Sequence, residues 1–112
     1  MNRKDVLPTA RDPILAIVRI SHATGLHARP SVMFTRLAKS FSAHVYIADH
    51  VLGPWINAKS IVKVMGLKAP YGTELFIRAE GHDAETAVKQ LAQLIKDDFE
   101  QTQTGDQNAI PA

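Results

Sequence analysis

The chain contains no cysteine. That excludes disulfides, thiolate metal sites and a cysteine nucleophile, and it fits a reducing compartment. Long apolar runs are also missing, since no stretch approaches the roughly 20 residues of a membrane-spanning helix. Aromatic residues make up only 6%, with a single tryptophan, Trp55. No aromatic–basic interleaving, helix-turn-helix or RNA-binding signature occurs, so a nucleic-acid-binding module is poorly supported. Charge of one sign is not in excess: 13 Lys and Arg against 11 Asp and Glu leave a formal +2. The pI near 9.1 overstates that balance. His22, His44, His50 and His82 show no metal-ligand spacing, so no metal site is expected. Internal repeats are absent. Residues 1–13 mix Arg3, Lys4, Asp5, Arg11 and Asp12 with prolines and do not read as a signal peptide. A cytoplasmic protein is the default expectation, without membrane insertion.

What remains is ordinary globular material: 112 residues, 46% hydrophobic and 21% charged, enough for one domain with one core. Residues 1–12 show no period and are expected to form a flexible arm. The run Ile14–Ile20 is β-branched and apolar and predicts a strand. From Pro30, Met33, Phe34, Leu37, Ala38 and Phe41 recur at helical spacing and predict an amphipathic helix. Ala43–Ala48 predicts a second strand, with Val45 and Ile47 opposite His44 and Tyr46. Val51–Ile56 is a poorer strand, broken at Gly53-Pro54 and suited to a sheet edge.

Asn57 is a candidate N-cap for a short helix, Ala58–Met65, stopping near Gly66. This helix has apolar groups on two sides. Ala58, Ile61, Val62 and Met65 form one stripe, and Val64 and Leu67 point elsewhere. Lys59 and Lys63 argue against full burial, so one side is available to a partner. Glu74–Glu80 alternates as a strand with Leu75, Ile77 and Ala79 inward. Asp83 is a candidate N-cap for a last helix whose stripe is Ala84, Ala87, Val88, Leu91, Leu94 and Ile95. Beyond Phe99 the chain turns polar, and residues 100–112 are expected to be a flexible tail. The order β-α-β-β-α-β-α predicts an α+β domain over residues 13–99, with helices gathered on one face of a mainly antiparallel sheet.

The stretch Thr24-Gly25-Leu26-His27-Ala28-Arg29-Pro30 is the most informative. Gly25 tolerates a turn at positive φ, and Pro30 suits the start of a helix. His27 therefore precedes a helix N-terminus, where open backbone N–H groups favour an anion. Arg29 adds a guanidinium suited to phosphate oxygens. Read from the residues alone, His27 is by default a surface loop histidine. The sharper alternative is a nucleophile beside a phosphate cradle.

Three segments in order carry a resemblance. Gly25-Leu26-His27-Ala28-Arg29-Pro30, Asn57-Ala58-Lys59-Ser60-Ile61-Val62, and Gly72-Thr73-Glu74-Leu75 with Ala79-Glu80-Gly81 resemble the HPr family of histidine-containing phosphocarriers. These belong to the bacterial phosphoenolpyruvate-dependent phosphotransferase systems, and the likeness runs from about Asp12 to Phe99. It implies an open-faced β-sandwich, a four-stranded antiparallel sheet with three helices on one face. It implies that His27 accepts a phosphoryl group from enzyme I and passes it to an EIIA-type domain, with Arg29 beside it and Ala28, Pro30 and Ser31 around the phosphate.

The same resemblance places Ser60 on the serine that an HPr kinase/phosphorylase modifies in some bacteria. It makes Ile61, Val62 and Met65, flanked by Lys59 and Lys63, a docking patch, with Val64 and Leu67 entering the core. A monomer without cofactor is implied, acting as a protein co-substrate more than as a self-standing enzyme. The alternative is a regulatory HPr-like interaction module. Two departures stand out: the turn holding Asp49–Trp55 is longer than usual, and Pro54-Trp55 is atypical there.

Overall fold

The computed structural model describes residues 13–21, 25–26, 28–97 and 99. The proposed arm and tail, residues 1–12 and 100–112, lie outside the described residues, as does His27. Among the described residues seven elements follow one another: β1 (Ile14–Arg19), α1 (Ala28–Lys39), β2 (His44–Ala48), β3 (Ile56–Asn57), α2 (Ile61–Leu67), β4 (Glu74–Glu80) and α3 (Ala84–Lys96). The strands form one four-stranded sheet in the order β1-β4-β2-β3. Every neighbouring pair is antiparallel. This is the expected open-faced α+β sandwich.

Alternation drives the layering. Leu75, Ile77 and Ala79 of β4 are fully buried, and so are Val45 and Ile47 of β2. Their neighbours in sequence point to the other face of the sheet, because successive strand side chains alternate. Each large aliphatic side chain buried in this way contributes about 1.5–3 kcal/mol. Phe34 from α1, Val64 from α2, and Leu91 and Ile95 from α3 meet them in one core. All six residues of the expected α3 stripe are buried, and Ala92 joins them. The α1 stripe is buried at Phe34 and Ala38, with Met33, Leu37 and Phe41 packed partly against the core. Among the described residues no helix is long and apolar enough to cross a membrane.

Four local expectations need correction. Helix α1 begins at Ala28, not Pro30. Proline is tolerated in third place because first-turn N–H groups have no intrahelical acceptor. The poor strand at Val51–Ile56 shrinks to Ile56–Asn57, paired with Ile47 and Tyr46 at the sheet edge. Its earlier residues make a turn through a cis Gly53–Pro54 bond, with Gly53 N–H donating to the His50 carbonyl at 2.8 Å.

The third correction concerns α2. Asn57 does not cap it, because Asn57 is in β3 and its side chain accepts from Lys59 N–H at 2.9 Å. Ala58 is likewise outside the helix and fully buried, so it leaves the exposed stripe. The cap is Ser60, with extended backbone and a hydroxyl accepting from Lys63 N–H at 3.3 Å. The helix runs through Gly66 and ends at Lys68, which takes the left-handed conformation at φ 52°. Finally, Asp83 occupies the N-cap of α3 without a side-chain capping bond. Its carboxylate is used elsewhere: it accepts from Ser42 N–H at 2.9 Å and Ala43 N–H at 2.8 Å. Those bonds hold the Asp83 carboxyl below the usual carboxylate range, the Ser42 amide being the largest cause.

Candidate functional site

The loop before α1 is fixed from both sides of His27. Gly25 sits at φ +71° against the segment that follows α2. A side chain there would strike the Ala69 carbonyl oxygen and come within 2.8 Å of the Pro70 Cα. Leu26 is buried, and its N–H donates to the Ala69 carbonyl at 2.8 Å. On the far side, Ser31 is fully buried and its hydroxyl donates to the Leu26 carbonyl at 3.3 Å. The sequence puts His27 between these two anchors, at the residue immediately before α1.

The first turn of α1 is open. Ala28 and Arg29 are exposed, while Pro30 and Ser31 are buried. Pro30 has no N–H, so Ala28 and Arg29 carry the first-turn backbone donors that point out of the helix. The Arg29 side chain has no hydrogen bond or ion pair among the described residues. An open helix start beside an uncommitted guanidinium can hold a phosphate through backbone N–H groups and a planar fork of donors.

Helix α2 divides its apolar residues between two directions. Val64 is 0% exposed and Leu67 packs partly against the core. Val62 is 75% exposed and Met65 40%, with Ile61 half-buried beside them. The two-sided pattern seen in the sequence thus has a physical origin: one side fills the core and the other is presented to solvent. Ile61 also lines a groove of about 320 Å³ with Val32, Thr35, Arg36 and Lys39 of α1. The groove joins the exposed faces of the two helices and carries two cations.

Lys63 is exposed at the same end of α2. Lys59 plays a different part, because its ammonium donates to the Phe41 carbonyl at 2.7 Å. It therefore ties the segment before Ser60 to the end of α1. Nothing in the spacing of residues indicated that bond. Among the described residues no group of three or more histidine or acidic side chains is placed to hold a metal ion.

A small α+β domain thus sets an Arg-flanked helix N-terminus beside a helix pair whose exposed side is part apolar and part basic. Residues 16–97 match the PTS-HPr family, described as the PTS HPr component phosphorylation site. The chain is 37% identical over 84 residues to the phosphocarrier protein HPr of Streptomyces coelicolor, covering 75% of this chain and 89% of that protein. It is 35% identical over 81 residues to the HPr-like protein Crh of Bacillus subtilis, covering 72% and 93%. The crystal structure of HPr-C-His from Thermoanaerobacter tengcongensis superposes with a TM-score of 0.71 at 36% identity, over 77% of this chain and 94% of that one. The chain belongs to the HPr family of phosphotransferase-system phosphocarriers.

Proposed function

We propose that the protein accepts a phosphoryl group on His27 from enzyme I and passes it to an EIIA-type acceptor. The observation that carries this reading is the open start of α1, with exposed Ala28 and Arg29 and a guanidinium without a partner among the described residues. The His27 imidazole supplies a lone pair that forms an N–P bond as the bond to the donor breaks. Ala28 and Arg29 backbone N–H groups and the Arg29 fork receive the phosphate oxygens. Ser31, buried and bonded to the Leu26 carbonyl, holds the shape of the loop. Handing on reverses the same step, so the protein contributes positioning and charge stabilisation. It acts in the cytoplasm as a monomeric co-substrate, without cofactor.

Docking uses Val62, Met65 and Ile61, with Lys63, Arg36 and Lys39 around them. Such a surface suits a partner with an apolar centre and an acidic rim. Ser60 lies beside it at the α2 cap. A phosphate there adds about −1.5 to −2 charges next to the patch, at a helix start that tolerates them. An HPr kinase/phosphorylase would thereby weaken docking without unfolding the helix. Phosphoenolpyruvate, enzyme I and the purified protein test the reading directly: the native chain becomes labelled and His27→Ala does not. Labelling of that variant to the native level overturns it.

A second reading, a regulatory HPr-like interaction module, draws support from the match to the HPr-like protein Crh. It predicts no phosphate on His27 in that assay, and phosphate on Ser60 when an HPr kinase/phosphorylase and a nucleoside triphosphate are supplied instead.

A further inference from the structure

Helices α1 and α2 gather cations and leave out acids. Together they carry Arg29, Arg36, Lys39 and Lys63 and no aspartate or glutamate. Helix α3 mixes both signs, with Glu85, Lys89 and Lys96. The groove between α1 and α2 therefore lies where positive charge is concentrated. Val32, Thr35, Arg36 and Lys39 share one side of α1, because residues three and four apart are neighbours on a helix. With Ile61 of α2 they line about 320 Å³. That volume matches the small end of the range for small-molecule sites. Val32 is 42% exposed and Ile61 half-buried, so the walls offer apolar surface between the cations. Among the described residues Arg36 and Lys39 have no hydrogen-bond or ion-pair partner.

Thr35 stands apart from the other lining residues. It is 4% exposed, and its hydroxyl is buried with no hydrogen-bond partner. A helical threonine ordinarily returns that hydroxyl to the carbonyl three or four residues back. Left without an acceptor, a buried hydroxyl carries a desolvation cost that a new acceptor would remove. Threonine has two χ1 positions in a helix, so one rotamer step turns the hydroxyl. Neither phosphoryl transfer at His27 nor docking at Val62 and Met65 makes use of it.

We propose that this groove binds a small free phosphate monoester. The Arg36 fork and the Lys39 ammonium take the oxygens of the dianion. The Thr35 hydroxyl turns about χ1 to donate to one of them, and the organic part lies against Val32 and Ile61. A dianion matches two cations one helical turn apart better than a single carboxylate does, and a planar guanidinium binds phosphate oxygens in pairs. The consequence rests on the docking reading given above: a ligand here covers Arg36 and Lys39 and competes with the acidic rim of a partner. A phosphorylated small molecule then holds the carrier off its partners.

Phenyl phosphate is the probe, titrated into the nitrogen-labelled full chain with no partner present. Amides of Val32, Thr35, Arg36, Lys39 and Ile61 should shift together and saturate with one dissociation constant, in the millimolar range expected of so small a ligand. Arg36→Gln should weaken binding roughly ten-fold. Thr35→Val keeps the branched shape. It should weaken binding about three-fold and yet raise Tm, because it removes an unpartnered buried hydroxyl. A hydroxyl with a purely structural role would not move the affinity. Phosphate at the start of α1 is a separate event, read at Ala28 and Arg29 with its own midpoint. Any of four results overturns the site: no saturable shift at the groove, shifts spread equally to Lys89 and Lys96 of α3, affinity unchanged in Thr35→Val, or phenol binding as tightly as phenyl phosphate. Competition has its own readout. At four times its dissociation constant, phenyl phosphate should raise the KM of enzyme I for the native chain about five-fold, and less for Thr35→Val. An unchanged KM overturns the competition. If His27 takes no phosphate from enzyme I, the relay reading falls and the competition with it, while the groove titration is judged on its own.

Discussion

Truncating Val64 and Val62 to alanine, separately, should split stability from docking on a single helix of seven residues. The side chains are two positions apart and chemically identical. Val64 is 0% exposed and Val62 is 75% exposed. Val64→Ala removes two buried methyl groups, about 1.6 kcal/mol at roughly 0.8 kcal/mol each. A cavity of some 40 Å³ adds about 1 kcal/mol at roughly 24 cal/mol per Å³. The expected total of about 2.5 kcal/mol lowers Tm by roughly 10–20 °C in a domain of this size.

Val62→Ala should stay within about 0.5 kcal/mol of the native stability. It should instead weaken encounter with enzyme I, raising KM for this protein by about five-fold if Val62 is worth ~1 kcal/mol at the interface. Thermal unfolding by circular dichroism and transfer rates against protein concentration measure the two effects. Loss of stability in Val62→Ala with normal KM, or the reverse in Val64→Ala, would refute the assignment of the two sides of α2.

Other expectations follow from the same geometry. Ser60→Ala should cost about 1 kcal/mol, because Lys63 N–H loses its capping acceptor, and should also remove the phosphate put on by the kinase; mass spectrometry and a melting curve check both. Arg29→Ala should slow transfer at unchanged Tm, since the side chain is exposed and touches no described partner through a hydrogen bond or ion pair. Asp83→Asn should flatten the acid side of the stability profile. The Asp83 carboxyl is held below its unfolded value by the Ser42 and Ala43 amides. Its contribution is therefore full above about pH 4, the unfolded range, and is lost as pH falls through the lower folded value. An identical acid slope in Asp83→Asn, followed by thermal melts at stepped pH, would contradict this.

The elements that alternate or repeat cleanly were readable from residues. Glu74–Glu80 divides its faces as its spelling indicates, and the α3 stripe is buried as spaced. The two-sided α2 was also visible, because only a partly covered helix puts Val62 and Val64 in opposite environments. Caps were harder. Asn57 and Ser60 are both good N-caps in isolation, and the choice depends on Asn57 pairing with Tyr46 in the sheet. Asp83 reads as a cap, yet long-range amides from Ser42 and Ala43 claim its carboxylate. The Arg78 guanidinium, 5.0 Å from the Tyr46 ring centroid and 4.6 Å from that of Trp55, was beyond reach, since β4 there meets β2 and the turn before β3. For the proposed transfer site, the order Gly25-Leu26-His27-Ala28-Arg29-Pro30 suggested the chemistry. The structure added the anchors at Ala69 and Ser31 and the open donors of Ala28 and Arg29.

Phosphorus NMR of the protein mixed with enzyme I and phosphoenolpyruvate tests the central claim most directly. The account predicts one phosphohistidine resonance, mapped to His27, that disappears when an EIIA-type acceptor is added. A resonance arising from another histidine, or one on His27 that no acceptor discharges, would contradict it.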